Sequence, residues 1–287
     1  MGFDIRHLIL RYRFGRLTQQ EGRTKIDIFQ AIILGIVQGI TEFLPVSSSG
    51  HLVFLQSLFG LREPPIFFDV MLHLGTLFAV VVYFWKDILE VIQGIRIAFK
   101  GRGKGQQGIR LLLWIILATI PAGLMGFLFK DWFESFFSQP RLVGGMLLIT
   151  GLFLWVTRWT KKEGRDIMKM RWFDSVLIGI AQGMAIIPGI SRSGATISTG
   201  LLTGLDRELS AKFSFLLSIP AILGATVLEV EKMGTIQELG IVLLGTVAAF
   251  GIGLLSLTFL FKINMIRKIS IFSYYCWIIG LAIIIIK

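Results

Sequence analysis

Residues 35–50 read GIVQGITEFLPVSSSG, and residues 179–194 repeat this pattern as GIAQGMAIIPGISRSG. The two stretches align without a gap, so that Gln38 falls on Gln182. Each copy interrupts an apolar run at a proline and continues into a serine-rich turn that contains glycine. A duplicated, interrupted apolar segment is typical of a membrane protein with a polar site in its interior.

The two copies differ at the positions best suited to chemistry. The second copy carries Ile186, Arg192 and Ala195 where the first carries Glu42, Ser48 and His51. The duplication therefore predicts two similar structures with different chemical roles.

The composition indicates a polytopic membrane protein. Of the 287 residues, 54% are hydrophobic and only 16% are charged, and the mean hydropathy is +0.75. This is too apolar for an ordinary soluble domain. The net charge of +11 lies mostly in loops between apolar runs, which favours a cytoplasmic membrane face over nucleic acid as its explanation. A single cysteine, Cys276, excludes a disulfide within the sequence.

Six apolar stretches are long enough to cross a bilayer, which takes about 20 helical residues. They lie near 67–85, 110–129, 142–158, 209–228, 239–261 and 270–286. Two other apolar regions, 27–59 and 174–203, are broken near the middle by prolines. Each half of these regions is too short to cross alone, so we interpret both as re-entrant helical hairpins. The expected fold is all-α, with six transmembrane helices and two hairpins.

The charged loops predict the orientation of the chain. The loops 86–110, 158–171 and 262–268 are basic, and six spans place all three on one side, the cytoplasm by the positive-inside rule. The N-terminal tail, residues 1–26, is also basic although this topology places it outside, and we interpret it as an interfacial helix. It shows no cleavage pattern of a signal peptide.

Three spans separate the two hairpins, and three is an odd number. The second hairpin is therefore expected to enter from the opposite side. This divides a single membrane domain into two inverted halves, 27–158 and 172–286, whose hairpin tips can meet near the midplane.

The first tip offers an acid, hydroxyls and an imidazole. Glu42 lies one helical turn after Gln38, and an ionisable residue in a lipid-embedded helix is a functional candidate. The run Ser47, Ser48, Ser49, Gly50 predicts the start of a helix, whose free N–H groups and positive dipole end suit an anion. His51 follows within the first turn. The structural alternative is a proline-kinked helix with a serine cap.

The second tip offers an arginine. Arg192 stands between Ser191 and Ser193, ahead of Gly194, with Thr196 one turn further on. A buried guanidinium needs an anionic partner, and its planar fork matches a phosphate. The structural alternative is an architectural salt bridge to Glu42. Together the two tips predict a phosphate-handling site, and a phosphate site inside a membrane implies a phosphorylated lipid.

Here the resemblance becomes specific. QGITEFLPVSSSGH (38–51) and PGISRSGAT (188–196) resemble the two signature motifs of the undecaprenyl-diphosphate phosphatase family, also called the bacitracin-resistance phosphatases. FDVMLHLGTLFAVVVYF (68–84) and FSFLLSIPAILGAT (213–226) resemble the same family. The resemblance covers nearly the whole chain from about residue 27.

The resemblance implies a cell-membrane enzyme that hydrolyses a polyprenyl diphosphate lipid to its monophosphate, with a divalent metal ion, Mg²⁺ or Ca²⁺. It also implies a cleft toward the outer face. Glu42 would be the acid/base or a metal-linked carboxylate, Ser48 and His51 the nucleophile candidates, and Arg192 the diphosphate ligand. The substrate-binding residues would be Gln38, Ser47, Ser49, Gly50, Ser191, Ser193, Gly194 and Thr196. Many members have Glu in place of Gln38, and Gln cannot act as a base.

Two other functions stay open at this point. A lipid-phosphate transporter or flippase would use the same inverted repeat and the same arginine without a nucleophile. A structural membrane protein would use the Arg192–Glu42 pair only to lock the bundle. Membrane lipids are expected partners and a homodimer is open. His73, which shares a helix face with Asp69, is expected to line a packed helix rather than to bind a ligand.

Overall fold

The computed structural model describes residues 26–61, 66–99, 106–129, 132–133, 136, 139–160, 163–229, 239–262 and 265–286. Over these residues the protein is helical, and the only β pairing is an isolated bridge between Arg165 and Leu205. Nearly all of the basic N-terminal tail lies outside the described residues, so the interfacial helix stays a prediction.

Apart from the helix Trp85–Phe99, which lies in an interval predicted as a loop, the helices follow one another in the order that the broken and unbroken apolar runs predict. They are α1 (Ile28–Thr41), α2 (Ser48–Leu58), α3 (Ile66–Tyr83), α4 (Trp85–Phe99), α5 (Gln106–Leu128), α6 (Pro140–Val156), α7 (Trp172–Met184), α8 (Arg192–Leu202), α9 (Arg207–Glu229), α10 (Leu239–Lys262) and α11 (Phe272–Ile286). Short 3₁₀ turns at Thr157–Trp159 and Met265–Ile271 connect the later helices.

Six helical segments are long and apolar enough to cross a membrane, and they confirm the six predicted spans. They are Ile66–Tyr83, Gln107–Leu128, Pro140–Trp159, Arg207–Val227, Leu239–Lys262 and Lys268–Ile286. Large apolar side chains such as Phe127 and Ile285 are more than 70% exposed on this surface. In a membrane such side chains face lipid, so their exposure needs no protein partner.

Each of the two broken regions forms a pair of short helices joined by a tight turn. The first helix, α1, has 14 residues and starts with a capping box between Asp27 and Gln30. At 1.5 Å per residue it spans about 21 Å, less than the roughly 30 Å of a bilayer core. Helices α2, α7 and α8 are shorter still, with 11, 13 and 11 residues.

The two helix pairs pack across the molecule in a reciprocal way. In the first half, Gly35 and Gly39 lie against α10 of the second half, and a Cβ on Gly39 would lie 2.8 Å from the backbone nitrogen of Gly253. In the second half, Gly179 and Gly183 lie against α5 of the first, next to Pro121 and Met125. The repeated glycines thus allow a helix of each pair to pack at close range against a span of the other half of the sequence.

The last spans of the two halves also pack against each other. A Cβ on Gly144 of α6 would lie 2.8 Å from the carbonyl oxygen of Gly280 of α11, and a Cβ on Gly280 would lie 2.8 Å from the carbonyl oxygen of Gly144. This contact is reciprocal, because each glycine lies against the backbone of the other. The absence of side chains on these two glycines allows α6 and α11 to pack closely.

The interval 86–110, interpreted as a loop from its charges, contains the helix α4. The charges were a poor guide because Lys86, Asp87, Glu90 and Arg96 all lie within one amphipathic helix. Asp87 of α4 makes a 2.7 Å ion pair with Lys212 of α9. The segment is therefore a helix packed beside α5 rather than an open loop.

An ion pair secures the base of the second helix pair. Arg165 donates two hydrogen bonds of 2.8 Å to the carboxylate of Asp174, which is fully buried at the start of α7. The same guanidinium donates to the carbonyl of Thr203, just beyond α8. Its hydrogen bonds to Asp174 raise the pKa of Arg165 above its usual value. The arginine thus joins the two ends of the pair.

Candidate active site

The first tip is a tight turn with an unusual backbone. Helix α1 ends at Glu42, and the chain turns through Ser47, whose φ is +66°. It is the one residue other than glycine with a positive φ among those described, and such a conformation costs free energy unless its surroundings hold it. The Ser47 hydroxyl caps α2 by accepting from the Gly50 amide at 3.3 Å.

The second tip repeats this cap with a relaxed serine. The Ser191 hydroxyl accepts from the Gly194 amide at 3.1 Å, and Ser191 has an ordinary φ of −73°. Here the positive φ, +97°, falls on Gly189, for which it carries little strain. Thr150 of α6 holds the turn, since it accepts from the Ser191 amide and donates to the Gly189 carbonyl at 2.9 Å.

The two tips touch one another. A Cβ on Gly50 would lie 3.4 Å from the Cα of Gly189, and a Cβ on Gly194 would lie 3.4 Å from Pro45. The Ser193 hydroxyl approaches the Leu44 carbonyl at 3.4 Å. The predicted meeting of the tips is therefore seen among the described residues, and small side chains make the approach possible.

Glu42 is the centre of the polar contacts between the tips. Its Oε2 accepts a 2.5 Å hydrogen bond from the Ser48 hydroxyl and a 3.0 Å hydrogen bond from the Gln38 amide. Its Oε1 is paired with the guanidinium of Arg192 from the second tip. Glu42 is only 6% exposed, so the carboxylate depends on these partners for its negative charge.

His73 lies at this site, although the sequence favoured a packing role for it. Its Nε2 is 3.8 Å from Oε2 of Glu42, and its Nδ1 donates to the Asp69 carbonyl at 2.8 Å. The His73 side chain is 29% exposed. Helical spacing places His73 on one face with Asp69 but does not reveal what that face contacts, and the expectation that His73 binds no ligand stays a prediction. Asp69 itself accepts from Gln56 at 2.7 Å.

The remaining predicted residues fall into two groups. Ser47, Ser49, Gly50, Ser191, Ser193 and Gly194 form the turns and caps of the tips. Thr196 is fully buried and bonds to the Arg192 carbonyl and, at 2.5 Å, to the Ser214 hydroxyl of α9. Its hydroxyl therefore supports the helix behind Arg192, and the structure does not place it beside the guanidinium.

His51 makes its hydrogen bonds to groups other than Glu42 and Ser48. One ring nitrogen, Nδ1, is 2.7 Å from the Ser47 carbonyl, and Nε2 is 2.8 Å from the hydroxyl of Tyr275. Tyr275 comes from α11, and no local pattern in the sequence points to it. The structure thus brings Ser48 to Glu42 but directs His51 toward the last span.

The side chains around Glu42 supply only some of the ligand atoms that a hard cation needs. Among the described residues, no three His, Cys, Asp or Glu side chains are grouped to hold a metal ion. However, Oε1 of Gln38 is buried and has no hydrogen-bond partner among those residues, and it lies on the side chain that already contacts Glu42. A carboxylate and an amide oxygen, completed by phosphate oxygens, are ligands that Mg²⁺ and Ca²⁺ accept.

Comparison with known proteins places these tips in a family. The family model of the bacitracin resistance protein BacA matches residues 31–282. The chain belongs to the BacA family. A relative from Carboxydothermus hydrogenoformans, named undecaprenyl-diphosphatase, is 45% identical over 268 residues, which cover 91% of this chain and 98% of the relative.

Two further relatives carry the same name. The protein from Desulfatibacillum aliphaticivorans is 43% identical over 268 residues, which cover 89% of this chain and 97% of the relative. The protein from Methanobrevibacter smithii is 43% identical over 267 residues, which cover 89% of this chain and 96% of the relative. In this BacA-family chain, the matched region includes both tips, His73 and Tyr275.

Proposed function

We propose that the protein is an undecaprenyl-diphosphatase, a phosphoric anhydride hydrolase that converts undecaprenyl diphosphate to undecaprenyl phosphate and phosphate and so recycles the lipid carrier of cell-wall synthesis. One observation carries this proposal: the hydroxyl of Ser48 donates to the carboxylate of Glu42, which is paired with Arg192 of the opposite tip. A nucleophile, a base and a phosphate ligand are thereby within reach of one another.

The chemistry is a phosphoryl transfer in two steps. Glu42 takes the proton of the Ser48 hydroxyl as its oxygen attacks the terminal phosphorus, and the bond from that phosphorus to the bridging oxygen breaks. The lipid monophosphate leaves with the electron pair of that bond and takes up the proton from Glu42, which is then a carboxylate again. Water, deprotonated by Glu42, then attacks the phosphoserine, which releases phosphate and restores the hydroxyl.

Arg192 stabilises the charge that develops on the terminal phosphate. Its guanidinium pairs with Glu42 through one nitrogen, and its other N–H groups and the amides at the start of α8 are suited to phosphate oxygens. A transporter would need this arginine but would not need a hydroxyl that donates to a buried carboxylate. The Ser48–Glu42 contact therefore favours hydrolysis.

A divalent ion, Mg²⁺ or Ca²⁺, would be held by Glu42 and by the free amide oxygen of Gln38 together with phosphate oxygens. When bound, it would neutralise charge on the diphosphate. Removal of the ion by a chelator should then lower turnover, and added Mg²⁺ or Ca²⁺ should restore it.

We also propose that the two helix pairs are re-entrant hairpins in inverted halves of the cell membrane, with the cleft toward the outer face. The reciprocal packing of α1 on α10 and of α7 on α5 supports this arrangement. In a Cys276→Ser background, a cysteine at Leu61 should react with an impermeant reagent from outside whole cells. A cysteine at Glu163 should react only after the membrane is opened, and labelling of both from one side would contradict the inversion.

The activity is tested by phosphate release from undecaprenyl diphosphate by purified protein. The wild type should release phosphate and the Ser48→Ala variant should not, while both keep the same melting temperature. If the wild type moves labelled undecaprenyl phosphate across liposomes but releases no phosphate, the transporter function replaces the proposed one.

A further inference from the structure

Tyr275 of α11 connects the last span to the first tip. Its hydroxyl lies 2.8 Å from Nε2 of His51, and the two rings are stacked with centroids 5.7 Å apart and planes 9° from parallel. The next residue, Cys276, is fully buried and has its sulfur 3.6 Å from the Pro45 carbonyl. Two consecutive residues of α11 therefore face the turn that carries Ser48.

The hydrogen bonds fix the direction of each proton in this contact. A backbone carbonyl can only accept, so Nδ1 of His51 carries a hydrogen and donates it to Ser47. In the neutral ring Nε2 is then an acceptor, and the Tyr275 hydroxyl donates to it. Both nitrogens of His51 are thus engaged, and neither is directed at Glu42 or Ser48 by a hydrogen bond.

The carbonyl that His51 holds belongs to the peptide bond between Ser47 and Ser48. Ser47 has the strained φ of +66°, and such a conformation persists only when neighbouring groups hold it. The same carbonyl also accepts the His51 backbone amide at 3.3 Å. A shift of this peptide would move the Ser48 hydroxyl away from its 2.5 Å contact with Glu42.

The second tip is held in a comparable way by the other half of the molecule. Thr150 lies on α6, the last span of the first half, and its hydroxyl bonds to the Gly189 carbonyl and the Ser191 amide. Tyr275 lies on α11, the last span of the second half. Each tip is therefore held by a hydroxyl from the last span of the opposite half, directly at the second tip and through His51 at the first.

We propose that Tyr275 is a positioning residue of the phosphatase site, which holds His51 on the Ser47 carbonyl and thereby keeps Ser48 aligned with Glu42. This assigns His51 a holding role and leaves Ser48 as the nucleophile. The proposal rests on the proposed phosphatase function for its kinetic test but not for its spectroscopic one.

The kinetic test uses Tyr275→Phe, which keeps the ring and removes only the hydroxyl. We expect kcat for phosphate release to fall roughly tenfold, the effect of one hydrogen bond on a barrier, with little change in KM and in melting temperature. Tyr274→Phe is the matched control, because Tyr274 is 56% exposed and packs on Trp277 away from the tips. It should keep the wild-type kcat.

A second pair of variants tests whether His51 holds the Ser47 carbonyl or accepts the phosphoryl group itself. The side-chain amide of Asn can replace Nδ1 as a donor to the Ser47 carbonyl, so His51→Asn should retain at least about tenfold more activity than His51→Ala. Asn cannot accept a phosphoryl group as an imidazole does. Equal, complete loss in both variants would therefore contradict the holding role.

The spectroscopic test is possible because the sequence has three histidines. Protein with ¹⁵N-labelled histidine should show a His51 signal, assigned by its loss in His51→Asn, with Nδ1 protonated and Nε2 accepting a hydrogen bond. Tyr275→Phe should shift the Nε2 resonance to that of a ring nitrogen that accepts no hydrogen bond. Tyr274→Phe should leave the resonance unchanged.

Different failures give different results. An unchanged Nε2 resonance, or full kcat in Tyr275→Phe, would overturn the positioning role. If the wild type itself releases no phosphate, the proposed function fails, and the resonance still shows whether Tyr275 holds His51.

Discussion

The two tips have the same capped turn but hold it in different ways, and the difference shows how a duplicated element acquires two roles. In the second tip the positive φ falls on Gly189, where it costs little, and a threonine fixes the turn directly. In the first tip it falls on Ser47, and a histidine and a tyrosine surround it. Backbone strain is thus concentrated in the tip that carries the proposed nucleophile, as expected for a catalytic site.

The two repeated glutamines show the same divergence. Gln38 donates to Glu42, whereas both amide atoms of Gln182 are without a hydrogen-bond partner among the described residues. Ile186 stands in the second copy where the first has Glu42, so the second glutamine has no carboxylate to contact. The first tip thus carries the carboxylate, and the second tip carries the guanidinium of Arg192 that pairs with it.

The largest effect should come from Ser48→Ala. Removing the nucleophile should lower kcat on the order of 10⁴-fold or more, because the alternative attack by water lacks its positioned oxygen. Phosphate release from undecaprenyl diphosphate is the measurement. Ser57→Ala, on the same helix but beyond the tip, is the control and should keep the wild-type rate.

Glu42→Gln should have the next largest effect. The amide can still bond to Ser48 and Gln38 but cannot take a proton, so kcat should fall about 10³-fold. Glu90→Gln, at an exposed position of α4, is the matched control. Near-normal kcat in Glu42→Gln, measured with saturating substrate, would remove Glu42 from the role of base.

Arg192→Ala should lower kcat/KM by about 10²- to 10³-fold, the loss of one charged contact to the phosphate. It also leaves Glu42 buried without its cation and should lower the melting temperature. Combining it with Glu42→Gln should restore the melting temperature but not the activity. If the double variant regains both, the pair is only architectural.

His73→Gln should have a smaller effect. Its 3.8 Å separation from Glu42 is an electrostatic contact of a partly exposed side chain, so kcat should fall roughly fivefold. The variant is measured beside Arg192→Ala in the same phosphate assay. A fall as large as that of Arg192→Ala would place His73 among the groups that touch the substrate.

The smallest effect on activity should come from substitutions of the packing glycines. One glycine from each half allows the packing of the two halves to be compared. Gly39→Ala would place a Cβ 2.8 Å from backbone and should destabilise the protein by about 1–3 kcal/mol. Gly183→Ala would meet only the flexible side chain of Met125 and should cost less. Thermal unfolding in one detergent gives the comparison, and equal losses would contradict the difference in packing.

Much of the fold could be predicted from the sequence because each signal is local. A run of about 20 apolar residues is a span whatever it packs against, and a proline within such a run marks the break. The interval 86–110 was predicted less well, since a helix with one charged face resembles a polar loop when only its charges are counted. The six spans were confirmed, while the inverted insertion is still a prediction.

The candidate site could be predicted where the repeat itself carried the information. Glu42, Ser48 and Arg192 lie in the two copies, and a carboxylate, a hydroxyl and a guanidinium are groups that bind one another. His73 and Tyr275 come from other helices, and their contacts depend on how α3 and α11 pack beside the first tip. The spacing of residues in the sequence does not reveal how distant helices pack, so neither residue could be predicted from it.

The most direct test of the division of labour between the tips is a rapid-quench experiment with undecaprenyl diphosphate labelled in its terminal phosphate. The label should appear on the first tip as phosphoserine at Ser48, and Arg192→Ala should slow its appearance without moving it to another residue. A label on His51, or wild-type turnover by Ser48→Ala, would contradict the account.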